Sequence, residues 1–128
     1  MLAAMCVAAG LAGIVHVLFF CMESLWWTKP QVRQRFGMSE QEAETTRLLA
    51  FNQGFYNLFL AIGTFAGLVI CGSGRESEGL TLATFTCGSM LAAAVVLASS
   101  SPRMIRGAVI QGTFPLIFLV LAALRALG

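Results

Sequence analysis

A glutamate and a histidine are the residues of the first apolar stretch that could do chemistry. Glu23 stands at the end of that stretch, and His16, the only histidine of the chain, precedes it by seven residues. Seven residues make nearly two turns of an α-helix, so we expect both side chains on one helix face. An ionisable group at membrane depth is costly unless it is paired or faces water, which makes it a functional candidate. We therefore predict that Glu23 and His16 carry acid–base chemistry, with His16 sharing or relaying the proton of Glu23.

Amide and aromatic side chains nearby are candidates for holding a substrate. The amides could orient a carbonyl, hydroxyl or epoxide oxygen, and the tyrosine ring could form a wall of the site. Such amides also serve as hydrogen-bonding groups between membrane helices, where they contribute about 0.6 kcal/mol on average. Taken alone, each amide fits either role, but the set together with Glu23 and His16 favours a site. The predicted substrate-binding residues are Trp27, Asn52, Gln53, Tyr56, Asn57 and Gln111.

A metal centre is not indicated by the cysteines or by the His16–Glu23 pair. The four cysteines show no CxxC spacing and lie in apolar stretches, as is typical of small buried residues. A structural or catalytic metal needs three or four protein ligands. His16 and Glu23, with Cys21 at most as a third, are too few and poorly placed for one. No phosphate-binding loop or zinc motif is present either. We predict chemistry without a metal or another cofactor.

The composition is that of a membrane protein. Of 128 residues, 58% are hydrophobic and 11% charged, whereas about one quarter of a soluble domain is charged. The mean hydropathy is +0.83. A chain this short cannot enclose so much apolar surface in one water-soluble core. Its net charge of +2 is too small to indicate a nucleic-acid partner.

Four apolar stretches predict four membrane-spanning helices in one domain, residues 1–128. The helices are expected at about 1–27, 40–71, 80–98 and 107–127, each near or above the ~20 residues that span the hydrocarbon core. Ser39 is a good N-cap for the second helix, which we expect to begin in water. Gly63 and Gly67 form a GxxxG motif that is typical of helix packing. The predicted fold is an all-α integral membrane four-helix bundle.

The basic residues predict the orientation of this bundle. Six of the eight Lys and Arg residues lie in or near the connections between the first and second helices and between the third and fourth. The positive-inside rule places these connections in the cytoplasm and both termini on the other side of the cell membrane. Glu23, the amides of the second helix and Gln111 would then share the cytoplasmic half of the bundle.

Several segments resemble a known membrane family. HVLFFCMESLWW, FGMS, LLAFNQGFYNLFLA and QGTFP are similar to the small four-helix family catalogued as domain of unknown function 1304. The matching positions are His16, Glu23, Trp27, Asn52, Gln53, Gly54, Tyr56, Asn57, Gln111, Gly112 and, with one extra intervening residue, Pro115. The resemblance covers nearly the whole chain. It implies that the polar layer is a shared family feature, and it implies no activity.

Two function hypotheses compete. The first is a membrane enzyme that isomerises, cyclises or hydrolyses a lipophilic small molecule by acid–base chemistry at Glu23. The alternative is a small proton-coupled transporter of lipophilic compounds, since small multidrug transporters also have four helices and one key glutamate. A transporter must expose its site alternately to both faces, and the outer halves of these helices offer almost no polar path. A purely structural role is a third reading. The expected partners are membrane lipids, a lipophilic small molecule and, through small-residue faces, a second copy of the chain.

Overall fold

Four long helices form the body of the protein. The computed structural model describes all 128 residues and contains no strand. A one-turn π-helix, Cys21–Leu25, extends the first helix, and a 3-10 turn, Pro102–Met104, leads into the last. Four helices are long and apolar enough to cross a membrane, which confirms the predicted all-α membrane bundle. The five α-helices are α1 (Leu2–Phe20), α2 (Pro30–Phe36), α3 (Glu40–Gly72), α4 (Glu76–Ser100) and α5 (Ile105–Leu127).

The long helix α3 begins with a capping box. The Ser39 hydroxyl accepts a hydrogen bond from the Glu42 backbone N–H at 3.1 Å, and the Glu42 carboxylate accepts one from the Ser39 N–H at 2.8 Å. The two bonds satisfy backbone donors that the first turn of a helix leaves free. Helix α3 therefore starts where Ser39 predicted. Helix α4 starts earlier than the apolar stretch, since its first turn carries Glu76 and Glu78.

Helices α3 and α4 approach each other along glycines. A Cβ atom on Gly67 would lie 2.8 Å from the Gly79 carbonyl oxygen and 3.1 Å from the Ala83 nitrogen, so only glycine fits there. About one helical turn from this contact, the buried Thr64 hydroxyl donates to Thr86 Oγ1 at 2.8 Å. The GxxxG glycine Gly67 is thus used for packing inside the chain, as the sequence indicated.

An apolar core joins α1 to α4 and α5 at the end of the bundle that holds both termini. Helix α1 contributes mainly alanines, which let the neighbouring helices come close. Larger side chains from α4 and α5 fill the remaining space. The buried members of this core are Met5, Ala8, Ala9, Ala12, Ala83, Cys87, Met90 and Phe118.

The short helix α2 packs across the other end of the bundle. Its Val32 is buried against Phe19 and Met22 of the first helix. Gly37 ends α2 with φ +64°, a left-handed conformation that glycine adopts without strain. We call this end of the molecule, with residues 26–39 and 101–106, the basic end, because it carries Lys29, Arg33, Arg35, Arg103 and Arg106.

Candidate functional site

Glu23 is hydrogen-bonded to an amide of the neighbouring membrane helix. The Asn57 side-chain nitrogen donates to Glu23 Oε2 at 2.6 Å. Asn57 is only 3% exposed, and Glu23 is half-buried. The bond therefore ties the end of the first helix to the middle of α3 and holds one carboxylate oxygen in a fixed position. The other carboxylate oxygen makes no hydrogen bond within the chain.

A glycine on α3 makes this contact geometrically feasible. A Cβ on Gly54 would overlap the Ser24 hydroxyl and lie 3.0 Å from the Ser24 nitrogen and 3.1 Å from Glu23 Cβ. The Ser24 hydroxyl donates to the Phe51 carbonyl oxygen at 2.8 Å, one turn before Gly54. The glycine of the NQGFYN segment thus allows close approach of the two backbones, while Ser24 and Asn57 link them by hydrogen bonds.

The local backbone at Glu23 is a π-helix. The Trp26 N–H bonds to the Cys21 carbonyl oxygen at 3.0 Å, five residues back, where an α-helix would bond four residues back. A single π turn inside an α-helix is rare, and the π turns that do occur are often found at functional sites. This turn changes the direction in which Glu23 points relative to the preceding α-helix. Nothing in the sequence CMESL signals it.

Glu23 lines a cleft of about 490 Å³ between the first helix and α3. Polar groups at the cleft are Ser24, Thr28 and Arg47, of which Arg47 is paired with Glu44 at 3.1 Å. The apolar lining includes Leu25 and Leu48, which are 58% and 73% exposed and so face the surroundings of the bundle. The cleft therefore combines one carboxylate, one guanidinium group and an apolar rim. Its lining residues are Glu23, Ser24, Leu25, Trp27, Thr28, Arg47, Leu48 and Phe51.

His16 is fully buried and has one ring nitrogen without a partner. Its Nδ1 lies 2.9 Å from the carbonyl oxygen of Ala12 on its own helix, while Nε2 is buried and makes no hydrogen bond. His16 and Glu23 are not hydrogen-bonded to each other, and seven residues separate them by about 10 Å along the helix axis. The predicted direct sharing of a proton between them is therefore absent from this conformation.

Gln111 lies near the depth of Asn57 but on α5, which packs mainly against α1 and α4. Thr64 faces Thr86, so in antiparallel helices Asn57 stands level with residues 93 and 94 of α4. A Cβ on Gly112 would lie 3.0 Å from that of Ala94, which places Gln111 within about one turn of the same level. Gln111 is 5% exposed and makes no side-chain hydrogen bond within the chain.

Three of the predicted substrate-binding residues on α3 are exposed and do not contact Glu23. Asn52, Gln53 and Tyr56 are exposed, Tyr56 by 64%, and none of them lines the cleft at Glu23. Helical phase, at 100° per residue, explains the exposure of Asn52 and Tyr56, which lie about 140° and 100° around the helix from Asn57. Gln53, four residues before Asn57, lies only about 40° from it and is exposed at the edge of the buried face. The structure thus joins Asn57 to Glu23 and leaves the other three apart from it.

Trp27 belongs to the basic end and borders the cleft at Glu23. Its Nε1 donates to the Thr46 hydroxyl at 3.1 Å, and its ring lies 5.0 Å from that of Phe36. The Trp27 side chain therefore connects the loop after Glu23 to the first turns of α3 through a hydrogen bond and to α2 through the ring contact. It also lines the Glu23 cleft, where its ring forms part of the wall.

A stripe of mainly small residues marks the buried face of α3, and the prediction of the substrate-binding residues did not use this signal. The stripe occurs at helical spacing and is buried along the helix. It predicts that Asn57 faces the bundle and that residues 52 and 56 face away from it. Its members are Ala43, Ala50, Gly54, Asn57, Ala61, Thr64 and Gly67.

Comparison with known proteins identifies the family of the chain but does not indicate an activity. The family model described as protein of unknown function DUF1304 matches residues 10–123. The chain belongs to this family. The match contains every residue of the Glu23 site, and it confirms the resemblance carried by the His16–Glu23 and NQGFYN segments. No curated protein matches the chain significantly, and no solved structure does so.

Proposed function

We propose that this DUF1304 protein is a membrane enzyme that moves a proton on a lipophilic small molecule at Glu23. The observation that carries the proposal is the half-buried carboxylate of Glu23. Asn57 donates to one of its oxygens at 2.6 Å, and Glu23 lines the cleft between the first helix and α3. A carboxylate fixed in this way has a second oxygen free to take or give a proton. Isomerisation, cyclisation and hydrolysis are the reactions that such a group can assist without a cofactor.

The lining of the cleft supports a substrate with an apolar body and an oxygen-bearing end. Leu25, Leu48 and Phe51 offer an apolar rim that is exposed at the side of the bundle, where a molecule dissolved in the membrane would approach. Arg47 and Thr28 offer donors for a carbonyl or hydroxyl oxygen. Trp27 offers an aromatic wall beside Glu23.

Transport has less support than catalysis. A carrier needs a route from Glu23 to the far side of the bundle. The space along that route holds the apolar core around Ala9, Ala12 and Phe118, whose side chains are fully buried. Catalysis in the cleft requires no such route.

The test is a comparison of small molecules in membranes that contain the protein or its Glu23→Gln variant. Glu23→Gln keeps an oxygen that accepts from Asn57 but removes the proton-transfer group. Lipid extracts of cells that express either protein at equal levels are compared by untargeted mass spectrometry. We expect a substrate–product pair, related by isomerisation, cyclisation or addition of water, that changes only with the unaltered protein.

A matched control uses a glutamate at the other end of the bundle. Glu78 is exposed and pairs with Arg75 at 3.2 Å, so Glu78→Gln makes the same chemical change away from the cleft. Glu78→Gln should give the product at the level of the unaltered protein. Equal product formation with Glu23→Gln would refute the proposal, provided that both variants are folded and present at equal amounts.

A further inference from the structure

A second cleft, distinct from the one at Glu23, opens at the basic end. It has a volume of about 700 Å³ and lies between the end of α1, the short helix α2 and the start of α5. Arg35, Arg103 and Arg106 line it together with Gln31 and Gln34, and no carboxylate does. This cleft is therefore a concentrated patch of positive charge and hydrogen-bond donors.

The guanidinium groups of this cleft are largely free to bind a ligand. Arg35 and Arg106 are exposed and take part in no ion pair or side-chain hydrogen bond within the chain. Arg103 donates one hydrogen bond, at 3.4 Å, to the carbonyl oxygen of Gly37. Guanidinium groups present a planar fork of donors that matches the oxygens of a phosphate.

The floor of the cleft is apolar and continues onto the side of the bundle. Phe19 and Met22 are buried beneath it, whereas Leu18 of α1 and Ile110 of α5 are 44% and 48% exposed. These two residues belong to helices that are apolar enough to cross a membrane. A hydrocarbon chain could lie along Leu18 and Ile110 while its polar end meets the arginines.

We propose that this cleft binds an anionic glycerophospholipid, with its phosphate against Arg35, Arg103 and Arg106 and an acyl chain along Leu18 and Ile110. The position of the cleft, where polar connections meet membrane helices, is the depth at which lipid phosphates lie. The absence of an acidic residue from its lining favours a lipid with net negative charge over a zwitterionic one. The site is independent of the chemistry at Glu23, so either proposal can fail without the other.

The experiment is native mass spectrometry of the full chain in detergent, titrated with dioleoyl phosphatidylglycerol or with dioleoyl phosphatidylcholine. We expect the protein to retain one phosphatidylglycerol molecule in preference to phosphatidylcholine. The Arg35→Gln, Arg106→Gln double variant should bind phosphatidylglycerol at least 20-fold more weakly, on the order of fivefold for each charge removed. Both side chains are exposed, so the variant should fold.

The control variant removes two charges from the opposite end of the bundle. Arg75→Gln with Arg125→Gln makes the same change in net charge, away from the cleft, and should retain phosphatidylglycerol as the unaltered protein does. Equal losses in both double variants, or no loss in the Arg35 and Arg106 variant, would overturn the proposal. Displacement of the lipid by glycerol 3-phosphate at equal concentration would also overturn it, because it would show a site for a soluble phosphate ester.

Discussion

Asn57 donates a hydrogen bond of 2.6 Å to Glu23 across the interface of the first helix and α3. The two residues are 34 positions apart in the chain, so the bond depends on the antiparallel packing of the helices. It is accompanied by the Ser24 hydroxyl bond to the Phe51 carbonyl oxygen at 2.8 Å. Together these bonds mean that the carboxylate is part of the helix interface as well as of the cleft.

The first prediction concerns the energy of this bond. In a double-mutant cycle with Glu23→Leu and Asn57→Leu, we expect a coupling free energy of about 0.5 to 1.5 kcal/mol, the range for side-chain hydrogen bonds between membrane helices. The measurement is reversible unfolding in mixed micelles. Glu23→Gln retains an acceptor for Asn57 and should unfold at nearly the same denaturant concentration as the unaltered protein. Strictly additive effects of the two leucine substitutions would contradict the observed contact.

The second prediction concerns Gly54. Gly54→Ala places a Cβ against the Ser24 hydroxyl and 3.0 Å from the Ser24 backbone nitrogen, so α3 must move away from the first helix. We expect a loss of about 1 to 3 kcal/mol in the free energy of unfolding, as for other overpacked sites, together with loss of the product proposed for the Glu23 cleft.

The control for Gly54 is a glycine with open space. A Cβ on Gly88 of α4 would meet no atom within 4 Å, so Gly88→Ala should leave stability unchanged or raise it slightly, since alanine favours the helix. If Gly54→Ala is as stable as Gly88→Ala, the close approach of the two backbones is not required.

The membrane bundle could be predicted from sequence because it depends on composition. Stretches of about 20 apolar residues leave few alternatives to spanning helices, and the Ser39 capping box fixes the start of α3 by local rules alone. The orientation of the termini stays a prediction. These features need no knowledge of which helix lies beside which.

The arrangement of the polar layer could be predicted only in part. Asn57, His16 and Gln111 are buried, whereas Asn52 and Tyr56 are exposed because helical phase turns them outward. Gln53 is exposed at the edge of the buried face. The spacing of Ala50, Gly54, Asn57 and Ala61 contained that phase. The π turn at Cys21–Leu25 has no comparable signal in the sequence CMESL.

The third prediction concerns His16. A buried polar atom without a partner costs stability, typically about 1 to 3 kcal/mol, and Nε2 of His16 is such an atom. His16→Leu replaces the ring by an apolar group of similar size, so it should unfold at an equal or higher denaturant concentration. The hypothesis that His16 relays the proton of Glu23 predicts that this variant also loses the Glu23-dependent product. Undiminished product formation in His16→Leu would show that His16 contributes to packing and not to the reaction.

The last prediction concerns the exposed amides of α3. The side-chain amides of Asn52 and Gln53 make no hydrogen bond within the chain and lie outside the Glu23 cleft. Asn52→Leu and Gln53→Leu should therefore change the free energy of unfolding by no more than about 0.5 kcal/mol, as is usual for surface substitutions. Asn57→Leu serves as the contrast, because Asn57 is buried, and it should lower the free energy of unfolding. A loss above about 1 kcal/mol in either exposed variant would mean that these amides have a partner, and a simultaneous shift in oligomeric mass would identify that partner as a second copy of the chain.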